Sequence, residues 1–301
     1  MEVGSLPIIE FRKPWPPDAA TVSRSESVPG GRAARATALI LLFLLPMISQ
    51  AELVLDGDAT QGGLIIGRTQ PDDRAEIDGR AVRVSPGGDF LIGFGRDAPG
   101  EARLVVIDRD GKEEVRVIQV DTREYQIQRI EGLPQEKVTP PEEVLTRIRE
   151  EGARVAAARS RDDPRTDFID GFVWPLKGRI SGVYGSKRIL NGEPRRPHFG
   201  VDVAAPAGTP VVAPADAIVS FADPDLYFSG GTLIMDHGHG LSSTFIHLSK
   251  ILVEEGQRVS QGDIVAEVGM TGRATGPHLD WRMNLFETRL DPQRLPESMS
   301  E

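Results

Sequence analysis

Two kinds of hydrophobic pattern divide the chain. A continuous apolar run, ATALILLFLLPMI over 36–48, shows no alternation. From Glu52 onward, apolar and polar residues alternate in short bursts, the period-two signature of half-buried strands. The bursts are GLIIGRT (63–69), AVRVS (81–85), DFLIGFG (89–95), ARLVVID (102–108) and EVRVIQV (114–120). Asp78-Gly79, Pro86-Gly87-Gly88 and Asp110-Gly111 stand between bursts as turn signals. Strands at this spacing predict an immunoglobulin-like β-sandwich module over 52–130.

Over 131–167 the alternation stops and the chain becomes charged and proline-punctuated. Within it, TPPEEVLTRIREEGARVAAA predicts a helix. Thr139 is placed to cap it, the prolines suit its first turn, and Glu142 and Glu143 favour the positive helix end. Its apolar positions, Val144, Leu145, Ile148 and Val155, form a thin stripe, so the segment reads as a partly helical linker. From 168 to 301 the β pattern returns, rich in glycine and proline. GTPVVAPADAIVSFA (208–222) and GQRVSQGDIVAEVG (256–269) look alike, each placing Val or Ile strands around a turn of small residues. The predicted fold class is all-β, with two β-rich domains joined by the linker.

The apolar run at 36–48 follows Arg32 and Arg35 and precedes Ser49-Gln50-Ala51, small residues of the kind a signal peptidase prefers. It falls short of the roughly 20 residues of a membrane span, and Pro46 interrupts it. Residues 1–51 therefore read as an N-terminal extension plus signal peptide, with cleavage after Ala51. Residues 1–27 look unlike a normal start to such a signal, which fits translation beginning downstream, for example at Val28.

Composition narrows the chemistry. A formal net charge of −10 argues against a general nucleic-acid binder. Cysteine is absent, which excludes disulfides, thiolate metal sites, a cysteine nucleophile and a lipid-modified cysteine. Export without cysteine fits a bacterial periplasm or cell surface. Any metal must be held by His, Asp or Glu, and all five histidines lie after residue 197.

His198 and Asp202 are four apart. In a flat strand they would stand about 13 Å apart, so one metal reaches both only where the chain curves, which Gly200 makes feasible. His278 and Asp280 are two apart and share a strand face. His247 lies in an apolar strand able to face the same place. His237 and His239, in Asp236-His-Gly-His-Gly240, are read as turn residues of a hairpin between TLIM and STFIH. Tyr184 and Arg188 are expected along the cleft. Lys187, Arg188, Arg195 and Arg196 form a basic cluster, read either as a solvated loop or as a surface for anionic groups.

HFGVD (198–202), FIHLS (245–249) and TGRATGPHLDW (271–281), in this order, resemble the lysostaphin/LytM-type zinc metallopeptidases over roughly 172–295. Phe172-Val173-Trp174-Pro175, followed by Gly178-Arg179-Ile180-Ser181, resembles the family's opening strand. The resemblance implies a duplicated-hybrid-motif fold and one Zn²⁺ per catalytic domain, with peptidoglycan stem peptides as substrate. It implies that His198 and Asp202 are metal ligands and that His247 and His278 are catalytic. One of these histidines would take a proton from water while the other steadies the tetrahedral intermediate. The family usually carries His-x-His where this chain has His278-Leu279-Asp280. Asp280 is then expected as the third metal ligand, since a carboxylate oxygen can serve. That exchange makes the metal site formally neutral instead of +1, which is expected to weaken activity or to shift the metal preference toward harder ions. On this basis Asp280→His is expected to preserve or raise activity. Two other readings compete: a non-catalytic regulator of a cell-wall amidase, and a cytosolic phosphocarrier on the same hairpin architecture. The apolar run and the His198–Asp202 spacing speak against the phosphocarrier.

Overall fold

The computed structural model describes residues 53–296. The predicted signal segment and the cleavage point after Ala51 lie outside the described residues.

The first seven strands form two antiparallel sheets. Val54–Gly57, Leu64–Arg68 and Asp89–Gly93 make one; Arg80–Val82, Arg74–Ile77, Glu101–Ile107 and Glu113–Gln119, in that spatial order, make the other. Strands one, two and five facing four, three, six and seven is an immunoglobulin-like division. Alternation explains the core between the sheets: Ile65, Phe90, Ile92, Leu104, Val106 and Ile118 point inward and are buried. The strand expected over 81–85 stops at Val82. Ser85 Oγ accepts the backbone N–H groups of Gly87 and Asp89, which turns the chain out of the sheet.

The linker holds a short helix, Gln135–Val138, and a longer one, Glu142–Arg159. Thr139 does not cap the second, contrary to its sequence pattern. It closes the first helix, donating its N–H to Gln135 O, and its hydroxyl donates to Glu193. Pro141 occupies the N-cap without a side-chain bond, and Glu142 and Glu143 fill the first turn. Val155 and Ala158 of the long helix pack on Phe221, Leu226 and Ile234. The strand Ile127–Ile130 pairs in parallel with Lys187–Leu190.

The remaining strands build the site's platform, an antiparallel sheet. Its spatial order is Arg258–Val259, Ala217–Leu226, Gly230–Asp236, Leu241–Leu248, His278–Leu285, Val201–Ala204 and Arg179–Gly182, with Thr288–Leu290 beside His278–Leu285. The look-alike segments pair with each other: Pro210–Val212 lies along Ile264–Glu267, and Ala217–Leu226 along Arg258–Val259. Phe172 to Pro175 is not a strand; Val173 N–H donates to Pro214 O, and the opening strand is Arg179–Gly182. The core runs from Phe172 and Leu176 through Val201, Leu233, Phe245 and Trp281, and takes in Leu64 and Leu91 of the sandwich.

Candidate active site

Three adjacent strands carry the site. Asp202 pairs across from Asp280, and Ile246, next to His247, pairs with Asp280 on its other side. His278, Asp280 and Arg282 follow at period two along one strand face. His198 precedes the strand Val201–Ala204, and its backbone is tied to Ser186 and Gly185. The curve that brings His198 to Asp202 passes Gly200, where a Cβ would lie 2.3 Å from Asp280 Oδ1. At Gly182 a Cβ would lie 2.1 Å from Asp202 Oδ2. Two glycines thus make room for two carboxylates.

The chain places His198 Nε2 3.0 Å from Asp202 Oδ1 and 3.2 Å from Asp280 Oδ2. All three side chains are buried, with ligand-capable atoms within 4.8 Å of one another. The Nδ1 side of His198 faces Val183 O at 3.3 Å, which directs Nε2 to the carboxylates. Asp202 Oδ1 is buried, and the His198 ring faces it within ion-pair distance, at 3.0 Å. Burial opposes charge on His198, yet Asp280 and Asp202 outweigh it and raise its pKa. Burial also works against a charged Asp280, but Arg282 and His198 hold it well below the usual carboxylate range. The cluster is a place for a cation, whether a proton on His198 or a metal among the three groups.

Two arginines complete it. Arg282 forks onto Asp280, with Nε 2.9 Å from Oδ1 and Nη2 2.6 Å from Oδ2. Arg188 reaches Asp202 Oδ2 at 2.8 Å. Sequence reasoning expected Arg188 along the cleft but missed Arg282, although its period-two spacing from Asp280 was a usable signal.

His247 and His278 stand beside the cluster, ring centroids 4.9 Å apart. Each turns Nδ1 to a backbone carbonyl, His247 to Thr271 O and His278 to Gly276 O, both at 2.8 Å. That leaves each Nε2 for the cleft; for His278 it lies 3.8 Å from Asp202 Oδ1. Burial pushes the His247 pKa down to about 4, so the ring is neutral at neutral pH. Its backbone has φ +66°, a strained value for a non-glycine residue. The cleft, about 260 Å³, is lined by Arg179, Arg188, Arg273, His247 and His278, and by Gln128 of the strand Ile127–Ile130.

Other expected residues fall elsewhere. Tyr184 does not line the cleft; it is buried, its hydroxyl donates to Arg289 O, and it packs edge-on to Tyr125. The basic cluster splits: Arg188 joins the site, whereas Arg195 pairs with Glu193 and donates to Val138 O. His237 and His239 occupy the hairpin turn as read. His237 is buried between Asp216 O and Ser243 Oγ.

Residues 196–292 match the model of peptidase family M23. A crystal structure from Pseudomonas aeruginosa, described as a peptidase M23, is 32% identical, with a TM-score of 0.60, over 78% of this chain and 93% of that one. The peptidoglycan DD-endopeptidase ShyA of Vibrio cholerae is 40% identical over 108 residues, 36% of this chain and 25% of that protein. The DD-carboxypeptidase/endopeptidase Mpg of Neisseria meningitidis is 35% identical over 114 residues, 38% of this chain and 26% of that protein. The match thus spans about a quarter of these curated relatives' length. Motifs, fold and site converge: the chain belongs to peptidase family M23.

Proposed function

We propose that this protein is a zinc-dependent endopeptidase that hydrolyses peptide cross-links of bacterial peptidoglycan. The observation that carries the reading is the buried trio His198, Asp202 and Asp280, with ligand-capable atoms within 4.8 Å of one another, beside a cleft with two more histidines. One nitrogen and two carboxylate oxygens suit zinc, which accepts both donor types and keeps an open position in catalytic sites. His198 Nε2, Asp202 Oδ1 and Asp280 Oδ2 would hold it. When bound, zinc supplies the Lewis acidity that polarises the scissile carbonyl.

His247, neutral and anchored through Nδ1, presents Nε2 to accept a proton from the attacking water. His278 faces it across the cleft and steadies charge developing on the carbonyl oxygen. The guanidinium groups of Arg179, Arg188 and Arg273 give the cleft a cationic lining that suits stem-peptide carboxylates. The relatives named as DD-endopeptidases favour a cross-link between D-residues as the bond cut. A wall substrate and the apolar run at 36–48 together support an exported protein of the bacterial cell envelope.

The decisive experiment digests purified peptidoglycan with the protein and reads the fragments by mass spectrometry, with a zinc-chelator arm alongside. Chelator-sensitive release of peptide-cleaved fragments is expected, and the masses name the bond. One observation favours a second reading, a regulator of a cell-wall amidase: arginines already engage both oxygens of Asp280 and one of Asp202. A zinc-loaded protein that releases nothing, yet raises the activity of an added wall amidase, would replace the first reading with the second.

A further inference from the structure

We infer that Arg282 is the positioning residue for the third metal ligand, and that Asp280 and Arg282 act together as a neutral stand-in for an imidazole. The inference rests on the zinc reading above and deepens it.

The geometry comes first. A carboxylate offers about four lone-pair sites. The fork from Arg282 takes one on each oxygen of Asp280, Oδ1 at 2.9 Å and Oδ2 at 2.6 Å. Gly200 lies against Oδ1, where a Cβ would come within 2.3 Å. The carboxylate is therefore fixed by a planar fork and crowded by the Gly200 backbone, with Oδ2 3.2 Å from His198 Nε2. A bidentate guanidinium fixes a carboxylate plane in a way that a single ammonium contact does not. Asp202 lacks this arrangement: Arg188 engages only Oδ2, and Oδ1 faces the His198 ring at 3.0 Å.

The charge arithmetic comes second. Zinc with one neutral histidine and two carboxylates sums to zero, whereas two histidines and one carboxylate leave +1. Adding the Arg282 guanidinium to the first set restores +1. Arg282 in turn depends on Asp280, because Arg159, Arg188, Arg273 and Arg289 all lie near enough to repel it. Replacing Asp280 alone with a neutral ring would leave this guanidinium unpaired among like charges. The sequence-based expectation that Asp280→His preserves activity is therefore reversed.

The test is a mutant cycle read as zinc affinity, by competition with a chromogenic chelator, on the full chain: wild type, Arg282→Gln, Asp280→His and the double variant. Each single change is expected to weaken zinc at least about tenfold, the scale on which groups orienting a ligand act. The double variant is expected to bind within about threefold of wild type, because the two changes compensate. Losses that simply add in the double variant, or an Arg282→Gln protein that binds zinc as wild type does, overturn the inference. Should a single variant fail to fold, the double variant decides by itself: binding more than about tenfold weaker than wild type overturns it. A folded wild-type chain that takes up no zinc overturns the zinc reading and this inference with it. Zinc on the wild type with additive losses overturns only this inference.

Discussion

His237 and His247 stand near opposite ends of one hairpin and share much. Burial pushes each pKa down to about 4, and each turns Nδ1 to a backbone carbonyl. They differ at the second nitrogen. Nε2 of His237 meets Ser243 Oγ at 2.9 Å, and its ring is spent on holding the turn. His247 bends into left-handed backbone, and its ring faces His278 and the cleft. Burial and a shifted pKa are thus common to a structural histidine and to the one proposed as catalytic. What separates them is whether a nitrogen remains for a ligand.

Mutating the two histidines separates them most sharply. His247→Ala and His278→Ala should each lower kcat by about 10²- to 10⁴-fold, the range for a lost acid–base group, while zinc stays bound. His237→Ala should instead lower the melting temperature and leave activity per folded molecule unchanged. Peptidoglycan digestion by all three, normalised to folded protein, checks this, and equal losses would erase the distinction. Next in size is Gly182→Ala, whose new methyl group would displace the Asp202 carboxylate. Zinc affinity should fall about 10- to 100-fold, with the circular dichroism spectrum intact.

A smaller effect concerns pH. The folded pKa of His237 lies below its ordinary 6.5, so the unfolded chain binds more protons between about 6.5 and 4. Stability linked to this ring is therefore complete above about 6.5 and is lost as pH falls toward 4. His237→Asn removes that titration. Urea melts at pH 7 and pH 4.5 should show the variant's deficit shrinking at the lower pH, by at most about 3 kcal/mol. Smallest is Thr139→Ala. Because Thr139 does not cap the long helix, the change should stay within about 0.5 kcal/mol by urea midpoint. A loss near 1 kcal/mol would reinstate the cap.

Local spacing made much of this readable. His198 with Asp202, and His278 with Asp280, are close in sequence, and strand periodicity with one curved approach brings each pair together. Five of the seven sandwich strands were legible for the same reason, whereas Val54–Gly57 and Arg74–Ile77, four residues each, are too short to stand out as alternation. Long-range partners were not: Arg282 is identifiable as a polar residue on the right face, but its fork depends on Gly200 lying against Asp280, some 80 residues away in sequence. Thr139 misled because the turn before it competes for the same residue. Tyr184 misled because nearness in sequence to the motif says nothing about which side of the sheet its ring enters.

The parallel pairing of Ile127–Ile130 with Lys187–Leu190 bears on how this protein could be shortened. A fragment cut at 168 would keep every histidine, yet it would lose Gln128, Ile130 and Leu133 from the cleft wall and leave one side of Lys187–Leu190 without its hydrogen-bonding neighbour. A bare strand side is a template for other chains. The smallest useful piece for an engineer would therefore begin before Ile127, or carry a designed substitute for that strand.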